Sequence, residues 1–305
     1  MTLETFKPQR FNKSSVATID QANTIISEYM GQGYSLTLRQ LYYQFVARGL
    51  MANKQANYKR LGSLLSKARL AGLVSWDALE DRTRNLKGWS GGYDNVADYM
   101  RTVDDGYFVD IWEGQENYVE VWVEKEALVG VVERAANEFR ARYFSCRGYT
   151  SQSEQYRAGK RFYRNTRSGR TCHVLHLGDH DPSGMDMTRD NRERLEMFSR
   201  YGVQVHRLAL NMDQVEELNP PPNPAKETDS RSGWYIREYG TKSWELDALD
   251  PNYINNLIRT NLQNLVDEDK MNERREYESE GTAEIQAVAE NYEAVRQFLE
   301  GEGLL

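Results

Sequence analysis

The chain has little cysteine, no long apolar run and, in one stretch, no acidic residue at all. Cys146 and Cys172 are its only thiols in 305 residues. Two cysteines without metal-ligand spacing exclude a disulfide scaffold and a cysteine zinc site. Both are read as packing residues of a reduced, cytoplasmic protein. No apolar run approaches the roughly 20 residues that a bilayer span needs. The amino-terminal MTLETFKPQRFNKSS has no apolar signal core, so no membrane association is expected. Acids are missing from Ser35 to Leu73, where seven bases stand: Arg39, Arg48, Lys54, Lys59, Arg60, Lys67 and Arg69. From Arg140 to Arg170 nine bases face one acid, Glu154. The net charge is -7, but the tail from Asp267 to Leu305 carries twelve acids against four bases and more than accounts for it. Local basic fields govern phosphate binding more than the total does. The acidic tail reads as a solvated helical face or a partner surface.

Apolar spacing predicts a helix from Val16 to Tyr34, with Ile19, Ala22, Ile25, Ile26 and Tyr29 on one face. A second follows Ser35-Leu36-Thr37 and closes at Gly49; a third runs from Gln55 to Ala71 and stops at Gly72. Leu73 to Trp76 reads as a short strand. Three helices and a small hairpin are the order of a winged-helix module, whose third helix would present Lys59, Arg60, Lys67 and Arg69 to DNA. The alternative is a plain helical bundle whose basic face binds nothing. Glu80 to Gly106 is a polar connection, expected to move around Trp89 to Gly92. The division expected is 1–105 for the DNA-binding module with its linker, and 106–305 for the remainder.

In the second module apolar strands alternate with helices. Val119–Val123 is followed by Glu124 and an amphipathic helix to about Arg140. Tyr143–Cys146 leads into Arg147-Gly148-Tyr149 and a basic helix. Val174–Leu177 ends in Gly178-Asp179-His180-Asp181, then a helix to Tyr201 and a fourth strand, Val203–Leu210. This alternation predicts an α/β fold, a mainly parallel sheet flanked by helices. Ligands of such sheets bind beyond the carboxyl ends of strands, where Glu124, Gly148, Asp179 and Asp181 all fall. Asp179 and Asp181, at i and i+2, leave one face of an extended backbone. Carboxylates so placed repel unless a cation lies between them, and hard oxygen donors suit Mg²⁺. The competing reading is a solvated turn, since DxDPxG is also turn chemistry. Asp186 is a weaker metal candidate. His180 is expected at the rim of the site, with His173 and His176 structural. Asn219 to Ser232 is a proline-rich exposed loop, and a long acidic helix is expected from Asp267 to Glu300.

A glutamate ending one strand and Asp-x-Asp ending a later one resemble the metal signature of the Toprim fold. Val123-Glu124-Lys125-Glu126-Ala127, Arg147-Gly148-Tyr149 and Gly178-Asp179-His180-Asp181-Pro182-Ser183-Gly184 resemble the A subunit of topoisomerase VI and the related meiotic double-strand-break transesterase. Thr37-Leu38-Arg39-Gln40-Leu41-Tyr42-Tyr43 is similar to that family's T-x-R-[DE]-[LI]-Y-Y. The resemblance covers Leu36 to Leu210 and is closest to stand-alone "mini-A" proteins. Gln40 departs from the family's acid, and no ATPase module is recognisable.

The resemblance implies a winged-helix (CAP-like) domain before a Toprim domain. It makes Tyr43 the nucleophile, with Tyr42 its packing neighbour, and Glu124, Asp179 and Asp181 the ligands of Mg²⁺ or Mn²⁺. The expected activity is that of a type IIB topoisomerase A subunit, an isomerase-class enzyme: a 5′-phosphotyrosyl link and staggered double-strand breaks in duplex DNA, made by a homodimer. A separate ATPase subunit would be needed for strand passage. Arg39, one turn before Tyr43, suits stabilisation of the phenolate. Arg147 joins the expected DNA contacts. Two other functions remain: a Toprim nuclease in which water attacks, and a non-catalytic DNA-binding partner.

Overall fold

A computed structural model describes residues 3–79, 92–102, 106–225, 229 and 231–305. The chain falls into two compact units, residues 1–85 with 119–262 and residues 86–118 with 263–305. That partition differs from the expected 1–105 and 106–305. No described helix is long and apolar enough to cross a membrane.

The first unit opens with three helices. α1 (Lys13–Gly31) starts where the Asn12 side chain accepts the Ser15 N–H, and buries Ile19, Ala22, Ile25, Ile26 and Tyr29. α2 (Leu38–Ala47) starts at a reciprocal cap, in which Thr37 Oγ1 accepts the Gln40 N–H and Gln40 Oε1 accepts the Thr37 N–H. Gln40 thus fills the third helical position of the cap, a role that Gln and Glu both satisfy. α3 (Gln55–Leu70) buries Leu61, Leu65 and Ala68. The strand expected at Leu73–Trp76 does not form. Arg69 donates to the carbonyls of Ser75, Trp76 and Leu79, curling the segment against the end of α3 into a 3₁₀ turn at Trp76–Ala78. Among the described residues no wing hairpin follows α3; Ala71 and Leu79 make only isolated bridges, to Thr5 and Leu36. Of Trp89 to Gly92, expected to move, residues 89–91 lie outside the described residues.

Beyond α4 (Val96–Met100), which belongs to the second unit, come β1 (Asn117–Val123), α5 (Val129–Glu138), β2 (Arg142–Ser145), α6 (Gln152–Arg167), β3 (Thr171–Leu177), α7 (Pro182–Ser199) and β4 (Gln204–Ala209). The fold is α/β: a four-stranded parallel sheet in the order β2-β1-β3-β4, flanked by helices. Val121, Trp122, Val123, Val174 and Leu177 are buried, as strands covered by helices must be. Then follow α8 (Met212–Leu218), β5 (Asn223–Pro224), α9 (Ser232–Tyr239), β6 (Lys242–Ser243) and α10 (Pro251–Gln263). β5 pairs antiparallel with β6, so the described part of the proline-rich loop is anchored; residues 226–228 and 230 lie outside the described residues. Just past β6, His180 and Trp244 exchange backbone hydrogen bonds of 2.8 and 2.9 Å. This carries residues 244–249 to the carboxyl end of β3.

In the second unit α11 (Glu268–Glu290) is capped by Asp267, and α12 (Tyr292–Gly301) follows. The single acidic helix expected to Glu300 is interrupted at Asn291, whose φ of -104° and ψ of 22° leave helical geometry. Asparagine favours such caps because its side chain competes for backbone hydrogen bonds.

Candidate active site

Glu124 follows β1, and its N–H donates to Leu177 O at 2.8 Å. Gly178 follows β3 in a tight space: a Cβ there would lie 3.0 Å from Glu124 Oε2, so that side chain would have to shift. That space lets Glu124 Oε2 accept the Asp179 N–H at 2.8 Å. Asp179 Oδ1 accepts the Leu246 N–H at 2.8 Å. Asp181 caps α7, its Oδ1 accepting the Gly184 N–H at 2.7 Å, with Pro182 opening the helix. A Cβ on Gly184 would collide with the Asp179 carbonyl. Beneath these turns the half-buried Arg207 donates to the carbonyls of Gly178, Asp179, Gly184 and Leu210. Strand ends and backbone donors thus bring Glu124 and Asp179 together, with Asp181 close enough to act on Glu124 through its charge.

Burial raises the Glu124 carboxyl above its ordinary range, and pushes Asp179 up to about 7 against the pull of Lys125. The cation among these groups is Lys125. Its Nζ lies 2.9 Å from Asp179 Oδ2, 2.9 Å from Glu245 Oε2 and 3.2 Å from Asp247 Oδ2. Burial alone would lower the Lys125 pKa, but the three carboxylates outweigh it and hold the ammonium charged. Among the described residues no group of three or more His, Cys, Asp or Glu side chains is assembled to hold a metal ion. The donor chemistry of Glu124, Asp179 and Asp181 nevertheless fits a hard divalent cation. All are carboxylates; burial raises Glu124 and Asp179, the charge of Asp181 adds to it at Glu124 and that of Glu124 at Asp179, a penalty that a bound cation relieves.

Tyr43 and Arg39 lie on one face of α2, and residues 223 and 245 come to meet them. Asn223 Nδ2 donates to Tyr43 Oη at 3.3 Å and reaches Glu245 Oε1 at 3.4 Å. Arg39 Nη1 is 2.5 Å from Glu245 Oε2. A polar chain therefore runs from Tyr43 through Asn223, Glu245 and Lys125 to Asp179. Tyr43 is only 4% exposed. Burial and then Glu245 raise its phenol above the ordinary 10; Asn223, Lys125 and lastly Arg39 pull the other way and lose. The phenolate stabilisation expected from Arg39 is outweighed here by burial and by the charge of Glu245, which itself engages that guanidinium. Tyr42 is held separately, its hydroxyl accepting the Lys54 N–H at 2.7 Å.

A cleft of about 870 Å³ is lined by, among others, Arg39, Arg69, Glu124, Lys125 and Arg147. Arg147, largely exposed, makes a two-pronged contact with Glu126 at 2.9 Å. Lys59, Arg60 and Lys67 are exposed on α3, whereas Arg69 is taken up by the carbonyls at the end of that helix. His180 is not a rim contact. It is buried, with Nδ1 2.7 Å from Tyr235 Oη and its ring against Tyr239 and Trp244. Asp186 is tied to Tyr149, Arg189 and Arg231 rather than to the carboxylate pair.

Lys125, Asn223, Glu245, Asp247 and Arg207 escaped the sequence reading. The signal for two of them was present: Glu245-Leu246-Asp247 repeats the i and i+2 acid spacing of Asp179 and Asp181. No protein-family model, curated protein or solved structure matches the chain.

Proposed function

We propose that this chain is a DNA-cleaving enzyme of the topoisomerase VI A-subunit kind, with a Toprim-like domain and an amino-terminal winged-helix-like DNA-binding module. It works by transesterification at Tyr43. What carries the reading is the polar chain that links the Tyr43 hydroxyl, through Asn223, Glu245 and Lys125, to the Glu124–Asp179 carboxylate pair. Tyrosine chemistry and a carboxylate site converge although 180 residues separate Tyr43 from Asn223.

Tyr43 Oη attacks a backbone phosphorus, giving a 5′-phosphotyrosyl link and releasing the 3′-oxygen, which takes up a proton. The reverse attack by that 3′-hydroxyl reseals the strand. The phenol must lose its proton on attack; burial and Glu245 oppose this, while Asn223, Lys125 and Arg39 favour it. Glu124, Asp179 and Asp181 are the residues that would hold Mg²⁺ or Mn²⁺. A divalent ion there supplies charge neutralisation for the phosphate oxygens and the leaving 3′-oxygen. Lys59, Arg60, Lys67 and Arg147 contact the phosphates of duplex DNA. Staggered breaks call for a homodimer, and strand passage for a separate ATPase subunit.

The burial and raised pKa of Tyr43 favour a second reading, a hydrolytic nuclease in which water attacks and Tyr43 only holds Asn223. Incubation with supercoiled plasmid and Mg²⁺ or Mn²⁺, denaturation, and a probe for protein-linked 5′ ends separates the two. The first reading expects Tyr43→Phe to abolish both cleavage and adduct while DNA binding persists. Undiminished cutting by Tyr43→Phe with free ends establishes the nuclease. Binding without cleavage under every condition overturns both in favour of a DNA-binding partner.

A further inference from the structure

Apart from Arg147, which lines the cleft, the second basic stretch of the sequence, from Arg140 to Arg170, takes no part in the site described above, and its centre is α6. That helix buries Gln155, Ala158, Gly159 and Phe162. Gly159 lets α7 approach closely, since a Cβ there would collide with Phe198. The close crossing brings the end of α7 alongside the outer face of α6. On that face Tyr156, Lys160, Tyr163 and Arg167 follow one another at spacings of four, three and four, a single stripe about 16 Å long. Tyrosine and cation alternate along it. Lys160 Nζ stands 5.3 Å from the Tyr156 ring centre and 5.6 Å from that of Tyr163; Arg167 is 5.8 Å from Tyr163. Tyr201 extends the aromatic surface, 5.8 Å from Tyr163. Tyr156 is 51% exposed and Tyr201 42%. The acids of the region are already engaged: Glu154 with Arg157 and Arg161, and Glu120 with Arg161. Among the described residues, no carboxylate pairs with Lys160, Arg164 or Arg167.

We infer that this face of α6 is a binding site for single-stranded nucleic acid. Exposed tyrosine rings offer platforms on which unpaired bases stack, and interleaved unpaired cations follow the phosphates. A solvated helix needs cations on its surface but does not need aromatic rings left half in water between them. Duplex DNA, whose bases are already stacked, would use the cations and leave the rings idle. The site goes beyond the cleavage reading and does not depend on it.

The test is fluorescence anisotropy of the whole chain in EDTA, with a labelled 20-nucleotide oligothymidine and a labelled duplex of equal length, at two salt concentrations. Wild-type protein should bind the single strand, with affinity falling steeply with salt. Lys160→Glu/Arg164→Glu/Arg167→Glu should lose more than tenfold in affinity for the single strand, with a salt slope shallower by about two. Tyr156→Ala should lose at least fivefold on the single strand and little on the duplex. Lys59→Glu/Lys67→Glu on α3 should show the reverse preference, so failure of the α3 interface is read separately from failure of the α6 site. Melting curves check the fold; if the triple variant misfolds, the exposed Arg164→Glu alone should still weaken single-strand binding about threefold. Single-strand affinity unchanged in the folded triple variant overturns the proposal. So does a Tyr156→Ala loss that is equal on single strand and duplex.

Discussion

The rim of the sheet and the outer face of α3 both carry charge, in opposite physical states. At the rim Lys125, Asp179, Glu245 and Asp247 are mutually paired and largely withdrawn from water. On α3, Lys59, Arg60 and Lys67 stand in solvent. Charges gathered in a low-dielectric setting shift one another's protonation and resist removal, as functional sites do. Exposed charges interact weakly with the rest of the protein and remain available to an incoming phosphate. The difference teaches that a basic run in sequence marks a surface, whereas a mixed-sign cluster assembled from distant segments marks a site.

The sharpest way to break this contrast is Lys125→Met. It strips Asp179 of its ion-pair partner and leaves Glu245 and Asp247 only Arg39, and should cost about 3–5 kcal/mol in urea unfolding, while Lys59→Ala and Lys67→Ala should stay within about 0.5 kcal/mol. Equal effects at the two places would erase the distinction. Next comes Gly184→Ala, whose methyl meets the Asp179 carbonyl. It should lower the urea midpoint by the equivalent of about 1–3 kcal/mol, with no comparable loss for alanine at the open Gly202.

A pH titration of the melting temperature sharpens the same contrast. Burial pushes His173 and His180 down to about 4 and His176 to about 3, helped by His206 for the first and Arg207 for the others. These rings stay neutral in the fold while the unfolded chain protonates them near 6.5. Their contribution is complete above about pH 6.5 and disappears as pH falls toward 4. Asp179, raised to about 7, acts with the opposite sign over the same range, favouring the fold on acidification. Glu124, also raised by burial, acts with Asp179, while His206 and the lowered carboxyl of Glu245 act with the three histidines; the histidine side is the larger, so melting should fall from pH 7 to pH 4, and His176→Asn should flatten the curve. A melting temperature that rises on acidification would instead make Asp179 the controlling group. The smallest effect belongs to Gln40→Glu, which keeps the reciprocal cap of α2 and should change stability by less than about 0.5 kcal/mol; Gln40→Ala should cost more by the same unfolding assay.

Much of the sheet was legible because its signals are local. Apolar runs of strand length alternate with helical spacing, so β1 to β4 and the positions of Glu124 and Asp179 at their ends followed from the residues themselves. The 3₁₀ turn in place of the strand expected at Leu73–Trp76 was not legible, because one guanidinium, Arg69, holds the carbonyls of that segment against the end of α3. Nor was the partnership of Tyr43 with Asn223, or of Lys125 with Glu245 and Asp247. Those contacts depend on residues more than a hundred positions apart, brought together by a pairing that no periodicity announces. The break at Asn291 turns on one side chain in an otherwise regular acidic run.

The two-residue backbone exchange between His180 and Trp244 has a practical corollary. It works as a clasp, fastening a late segment onto the middle of the chain so that Leu246 can steady Asp179 from outside the sheet. A fragment ending at Tyr239 would retain all four parallel strands and every acidic residue first suspected of chemistry, yet its central carboxylate would swing without a backstop. The smallest excisable piece that preserves the site is therefore longer than the smallest piece that preserves the sheet.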